Sequence, residues 1–298
     1  MRGEKMILNS VPQVGDNALK DRQNSAISLI RLLSTTAIVL CHVLQYYGLE
    51  LAYWFNIGVQ IFFVMSGYLY GNKTIDRPID FYRKRLKKIL VPYYLLLLPS
   101  VLLYYFFAPE ILEMSSVIKS LFLVGIIQGM NHLWFVRYII VCYLMTPALY
   151  WLKKKSIKFS TKYMFLIWCL TIVMVICGGM IIEKNFLAAC LTCYIVGYFS
   201  CICYTKFEEN SCRMVTKMIF VFSLVVTVVR IYLKYCENAD LSGMGQCLFE
   251  IIDIYGHPIL GYALFCNMMW LFSQVPLTDI LKWSDKYSYY VYLVHHLF

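Results

Sequence analysis

An arginine and a histidine stand at the two ends of one short apolar stretch, RLLSTTAIVLCH, in the first apolar run of the chain. In a helix, the eleven-residue step from Arg31 to His42 is about three turns, so both side chains return to one face roughly 16 Å apart. A charge inside the hydrocarbon layer of a membrane costs about 3 kcal/mol or more, and it is therefore rare outside functional sites. Histidine titrates near neutrality and can act as a general base, while arginine binds phosphate and carbonyl oxygens. The pair is a candidate catalytic site.

Two later apolar runs carry histidines of their own. The stretch NHLWFVRYIIV begins with His132 and Trp134 and has Arg137 more than a turn further on. The last run, SDKYSYYVYLVHHLF, reaches His295 after about ten residues, which predicts a position near the middle of the membrane. His295 and His296 point to different faces of a helix, so we expect at most one of them to face a site.

A third run, LFEIIDIYGHPILGY, combines two acids with a histidine. Glu250, Asp253 and His257 have i, i+3, i+7 spacing, which places them on one helical face. Pro258 removes a backbone donor and is expected to kink that helix. Isolated polar residues in membrane helices also serve simply as hydrogen-bond partners between helices, so a structural role stays open for each of these residues.

The segment DRPIDFYRKRLKKILVPYY concentrates positive charge, with Arg83, Arg85, Lys87 and Lys88 interleaved with apolar residues. One interpretation is an amphipathic helix held at the membrane surface by anionic lipid. The other is a cationic bed for a phosphorylated cytoplasmic ligand, because Arg and Lys bind phosphate oxygens strongly. One helix can serve both purposes.

These residues need a membrane bundle to position them, and the composition predicts one. The chain of 298 residues is 60% hydrophobic and 15% charged, whereas soluble domains are about a quarter charged. Apolar runs of roughly the 20 residues that a bilayer requires recur along it. They cover about 26–46, 53–70, 91–107, 132–152, 163–182, 186–204, 214–233, 247–272 and 285–298. The sequence predicts an all-α integral membrane protein with about nine transmembrane helices, the last one incomplete.

The distribution of basic residues orients this bundle. With residues 1–25 as a cytoplasmic tail, 21 Lys and Arg fall on the inner side, counting the inner ends of the runs, and 3 fall in outer loops. Cytoplasmic loops of membrane proteins carry such an excess, so we predict a multi-pass protein of the plasma membrane with a cytoplasmic N-terminus. The net charge of +10 is therefore explained by topology, and no nucleic-acid partner is predicted. The tail does not have the pattern of a signal peptide.

Twelve cysteines include one CxxC pair, Cys190 and Cys193, inside an apolar run. A zinc site would need two further ligands nearby, and the sequence offers none there. Small polarizable packing residues are the favoured interpretation, and no metal is predicted.

Five stretches in order resemble the membrane acyltransferase family 3, which acylates surface sugars and related acceptors. They are the Arg31/His42 pair, IFFVMSGYLY, FYRKRLKKILVPYY, HLWFVRYIIVCYLMTPAL and the terminal YSYYVYLVHH. The resemblance covers the chain from about residue 25 to its end. It implies one acyltransferase-like domain over 26–298, a bundle of about ten helices in the full family pattern.

The resemblance also implies an activity and roles for residues. The enzyme would move an acyl group, usually acetyl, from cytoplasmic acyl-CoA to a hydroxyl on an outer acceptor, with no bound cofactor. His42 and Arg31 would be catalytic, and the basic segment would bind the donor. Residues expected on the acceptor side, or in support, are His132, Trp134, Arg137, Glu250, Asp253, His257 and His295. Gly67, beside Ser66, matches a family position for close helix packing.

Two other functions are compatible with the same sequence. Intramembrane Arg, His and acids also mark substrate and proton pathways, so a carrier of a small polar solute is one alternative. The chain stops within its last apolar run, so an inactive, truncated homologue is another. Membrane lipid, acyl-CoA and a surface glycan or lipid-linked sugar are the expected partners. For His42, both a general-base mechanism and an acyl-histidine mechanism are compatible with these residues.

Overall fold

The computed structural model of the protein describes residues 14–156, 161–206, 209–235, 243–276 and 278–295, and over these residues it is helical without strands. The helices are α1 (Val14–Tyr46), α2 (Ala52–Phe55), α3 (Ile57–Gly71), α4 (Pro78–Phe107), α5 (Met114–Leu121), α6 (Trp134–Ser156), α7 (Thr161–Ile181), α8 (Asn185–Lys206), α9 (Glu209–Tyr235), α10 (Met244–Phe272) and α11 (Asp279–Val294). Two 3₁₀ turns, Pro109–Ile111 and Asn131–Leu133, complete the described elements.

Five helices in the described part of the chain are long and apolar enough to cross a membrane. The candidate spans are Asn24–Tyr46, Pro78–Phe107, Asn131–Lys155 (which includes the 3₁₀ turn before α6), Arg213–Leu233 and Leu248–Phe272. Two shorter apolar segments, Leu166–Ile181 and Asn185–Cys201, lie between them. The protein is thus an α-helical membrane protein, and the number of nine spans stays a prediction.

The centre of the bundle is α3, which packs most closely against α8. Glycines make this approach possible: a Cβ on Gly67 would overlap the Tyr194 carbonyl oxygen, and one on Gly197 would overlap the carbonyl of Val64. Helices with small residues at the contact can bring their backbones together in this way. The close packing expected at Gly67 is present. Cys190 and Cys193 lie on the same helix, α8, and are buried in the core.

The basic segment and the third apolar run form one helix. Pro78 begins α4 at its first turn, where a missing N–H costs nothing, and the helix continues to Phe107 through Pro92 and Pro99. The segment with Arg83 to Lys88 is therefore the first part of a helix that also contains a candidate span, and not a separate surface helix. Likewise, α10 continues through Pro258.

The last helix, α11, lies against the first. Thr278 caps its N-terminus by accepting a hydrogen bond from the Leu281 amide, and the Ser25 hydroxyl donates to the Val275 carbonyl just before it. Arg31 meets Asp285 and His42 meets His295, so the two helices run in the same direction. Seven predicted spans between the two helices would give the same parallel arrangement.

Candidate active site

Arg31 is held by a carboxylate that the sequence analysis did not select. Its guanidinium forms an ion pair with Asp285 of α11, and the two side chains are 19% and 36% exposed. Asp285 is the first residue of the predicted last run, 285–298. The pairing is a tertiary contact between the two ends of the chain, so spacing alone could not reveal it.

His42 lies three turns along the same helix from Arg31, one turn before α1 ends. Its Nδ1 lies 2.9 Å from Oε1 of Gln45. An amide oxygen can only accept, so Nδ1 carries the proton and the lone pair of the neutral ring is on Nε2. This makes Nε2 the basic atom. Gln45, which was absent from the candidate residues, therefore fixes the tautomer of His42.

His295 extends the site from the opposite helix. Its ring centroid lies 5.0 Å from that of His42. Its Nδ1 donates to the Tyr292 carbonyl at 2.5 Å, which again leaves the lone pair on Nε2. His295, predicted near the middle of the membrane, lies at the same level as His42. His296 lies outside the described residues.

His132 completes a group of three histidines. It lies in the 3₁₀ turn before α6, is 2% exposed, and its Nε2 donates to the Leu293 carbonyl at 3.0 Å. Its ring centroid is 5.4 Å from that of His295. The Tyr292 hydroxyl donates in turn to the His132 carbonyl, so this turn and α11 are joined in both directions.

Cations gather at the Arg31 end of the site. Lys88 lies within electrostatic range of Arg31 and Arg85, and Arg85 is stacked over the Tyr70 ring at 4.9 Å. Lys73, in the linker after α3, lies over the same ring at 5.3 Å. Burial, followed by the charges of Arg85 and Lys88, lowers the pKa of Lys73 below its usual range. The three other cations of the segment, Arg83, Lys84 and Lys87, are exposed, as is Lys88, whereas Arg85 is partly buried.

A second polar cluster surrounds Arg230, a residue that the sequence analysis left within an apolar run. Its Nε and Nη2 donate to Asp253 Oδ1 at 2.8 and 2.7 Å, and its Nη1 donates to His257 Nδ1 at 2.6 Å. The guanidinium also lies 4.7 Å from the centre of the Tyr53 ring. Arg230 is 4% exposed and His257 5%, whereas the Asp253 side chain is 46% exposed. The cluster joins α2, α9 and α10.

Three of the expected site residues lie elsewhere. Glu250 is exposed and lies 3.4 Å from the Gln246 amide nitrogen, apart from the Arg230 cluster. Trp134 packs against Phe186 of α8, with ring centroids 4.9 Å apart. Arg137 donates to the Val124 carbonyl at 3.0 Å. None of these contacts joins the three histidines.

The profile of the acyltransferase 3 family, described as an acyltransferase domain, matches residues 24–298. The chain belongs to the acyltransferase 3 family. No curated protein and no solved structure gives a significant match.

Membership confirms the resemblance and identifies the chain as an acyltransferase of the membrane. The matched region contains all three histidines, Arg31 and the basic start of α4. In the described part of this acyltransferase, no three His, Cys, Asp or Glu side chains group as a metal site.

Proposed function

We propose that the protein is a membrane-embedded O-acyltransferase. It takes an acyl group, most simply acetyl, from cytoplasmic acyl-CoA and transfers it to a hydroxyl of an outer glycan or lipid-linked sugar. The N-terminus is cytoplasmic and the host membrane is the plasma membrane. The observation that carries the proposal is that α1 contacts α11 at two levels. At one level Arg31 pairs with Asp285 and lies near further cations, and at the other His42 lies against His295.

The cation-rich end is the proposed donor site. Coenzyme A carries several phosphate charges, and guanidinium and ammonium groups bind phosphate by charge-assisted hydrogen bonds. Lys88 lies within electrostatic range of both Arg31 and Arg85, and this grouping of positive charge suits a polyanion. Arg83 and Lys87, being exposed, are proposed to attract the nucleotide from solution.

The proposed reaction uses His42 Nε2 as a general base. It takes the proton of the acceptor hydroxyl while that oxygen attacks the thioester carbonyl carbon. A C–O bond forms, the C–S bond breaks, and the sulfur leaves as the thiol of coenzyme A after receiving a proton from the imidazolium. In the alternative route, the Nε2 lone pair attacks the thioester carbon, the thiol of coenzyme A leaves, and the acyl-imidazole then passes its acyl group to the acceptor hydroxyl.

The acceptor is proposed to approach from the end of α1 that bears His42. His132 and His295 line this end beside His42. Asp253 is the member of the Arg230 cluster with a half-exposed carboxylate, so it is the better candidate to accept a hydrogen bond from an acceptor hydroxyl. Trp134, Arg137, His257 and Glu250 are proposed to support this side.

Donor binding tests the proposal before any acceptor is known. Acetyl-CoA is titrated calorimetrically into the purified protein in lipid nanodiscs, alongside Arg31→Ala and a control, Arg213→Ala. Arg213 is also basic, but it lies on α9, and its guanidinium stacks on the Trp270 ring of α10, 3.6 Å from the ring centroid. We expect saturable binding that Arg31→Ala weakens at least tenfold and Arg213→Ala leaves unchanged. Absence of binding to the wild type would contradict the donor assignment and favour a carrier.

A further inference from the structure

Asp285 forms an ion pair with Arg31, the arginine that the proposed donor site needs to bind its ligand. Of the three ion pairs among the described residues, Arg31–Asp285 is the one that joins α1 to α11. Asp285 is the more exposed partner, with 36% of its side chain accessible against 19% for Arg31. Solvent therefore reaches part of the Asp285 side chain, although the Oδ1 that pairs with Arg31 is itself buried.

The charged groups linked to this ion pair are cations, so the negative charge of Asp285 lies in a positively charged region. Arg31, Lys88 and Arg85 are linked by electrostatic range, and Lys73 is linked in the same way to Arg85 and Lys88. Four cations, including Arg31 itself, are thus connected around the Arg31–Asp285 pair. An anion that approaches Arg31 meets repulsion from Asp285 unless it displaces this residue from the guanidinium.

We propose that Asp285 is the resident counter-ion of the donor site and a specificity-determining residue. A ligand with several phosphate charges displaces it from Arg31, because Lys73, Arg85 and Lys88 attract the ligand at the same time. A neutral or singly charged ligand gains too little from these cations to do so. Building repulsion against the wrong ligand is a general route to specificity. The inference rests on the proposed function, since it takes the donor to be polyanionic.

The position of Asp285 on α11 connects this exchange with the histidines. From Asp285 to His295 is ten residues of one helix, about 15 Å. Between them, the Tyr289 hydroxyl donates to the Ile89 carbonyl of α4 at 3.2 Å, directly after Lys88. Asp285 and His295 thus lie on the same segment, which contacts Arg31 at one level of α1 and His42 at the other.

Ligand binding to Asp285→Asn tests this inference. Two ligands, coenzyme A and pantetheine, are titrated into wild type, Asp285→Asn and Asp279→Asn in nanodiscs. Pantetheine is the uncharged thiol arm of coenzyme A, without the phosphates and the adenosine. Asp279 is the matched control, an acid on the same helix that is 97% exposed and paired with Lys282. We expect Asp285→Asn to bind coenzyme A at least tenfold more tightly than wild type, with pantetheine unchanged and Asp279→Asn like wild type. Equal or weaker binding of coenzyme A by Asp285→Asn would overturn the inference, because a merely structural aspartate gives no gain on removal.

Further measurements separate this outcome from failure of the proposed function. If no variant binds coenzyme A, the acyl-CoA assignment fails, and inorganic pyrophosphate replaces it as the probe. Tighter pyrophosphate binding by Asp285→Asn than by Asp279→Asn then sustains the inference, and equal binding overturns it.

If Asp285→Asn does not fold, amide hydrogen exchange of wild type decides: faster exchange of residues 279–288 when ligand is added supports displacement. Unchanged or slower exchange contradicts it.

Discussion

The rings of His42 and His295 lie 5.0 Å apart between centroids, although one belongs to the first helix and the other to the last. Each ring donates from Nδ1, to Gln45 and to the Tyr292 carbonyl, so both lone pairs are on Nε2. When one of these neutral imidazoles takes up a proton on Nε2, the other ring is close enough to stabilise the resulting positive charge. We therefore expect the second histidine to assist the first.

Replacing His295 with alanine tests this assistance. We expect kcat for acyl transfer to fall about tenfold or more, within the range of contributions from positioned acid–base groups. Donor affinity should not change, because His295 lies about 15 Å along α11 from Asp285. Steady-state kinetics with calorimetric donor binding separate these effects. An unchanged kcat would remove His295 from the mechanism.

Arg85 and Arg83 form a natural pair for testing the donor site. Arg85 is stacked over Tyr70 and within electrostatic range of Lys88, whereas Arg83 is exposed. Arg85→Ala should raise the Michaelis constant for acyl-CoA at least fivefold and Arg83→Ala less than twofold, with the constant for the acceptor unaffected, since exposed charges are screened and worth little. Equal effects of the two substitutions on donor and acceptor would instead favour anchoring of α4 by lipid.

The lowered pKa of Lys73 predicts a pH dependence of donor affinity. A lysine with a lowered pKa loses its charge at a pH below the usual value of 10.5, and Lys73 is lowered by burial and by Arg85 and Lys88. Attraction for phosphate then decreases as the pH rises toward that pKa, so the dissociation constant for coenzyme A should increase with pH in the alkaline range. Lys73→Arg keeps its charge there and should flatten the profile. Identical profiles for wild type and Lys73→Arg would exclude Lys73 from the site.

The sequence was sufficient for the parts of this site that local spacing determines. Arg31 and His42 share a helix face, so their common orientation follows from helical geometry. Asp285 pairs with Arg31 through a contact between chain ends, which periodicity cannot encode. Glu250 shows the limit of a face argument: seven residues separate it from His257, about 10 Å along the axis, so it does not reach the arginine that His257 binds.

Close packing of α3 against α8 is a prediction about stability. Gly67→Ala would force a Cβ into the Tyr194 carbonyl oxygen, and overpacking of this kind costs about 1–3 kcal/mol. Gly178→Ala is the matched control, because no atom lies within 4 Å of a Cβ there. Thermal unfolding in the same lipid should show a lower midpoint for Gly67→Ala and an equal or higher one for Gly178→Ala. An unchanged midpoint for Gly67→Ala would contradict the observed backbone contact.

Acyl transfer by His42→Ala is the most direct test of the account. Protein in proteoliposomes receives labelled acetyl-CoA on the side of the N-terminus and a mixed saccharide acceptor on the other, and acylated product is counted for wild type and His42→Ala. The account predicts transfer by wild type, a loss of at least a hundredfold in His42→Ala, and equal donor binding by both, since general bases contribute about 10²–10⁴-fold. Substantial transfer by His42→Ala, with donor binding intact, would contradict the central role of His42.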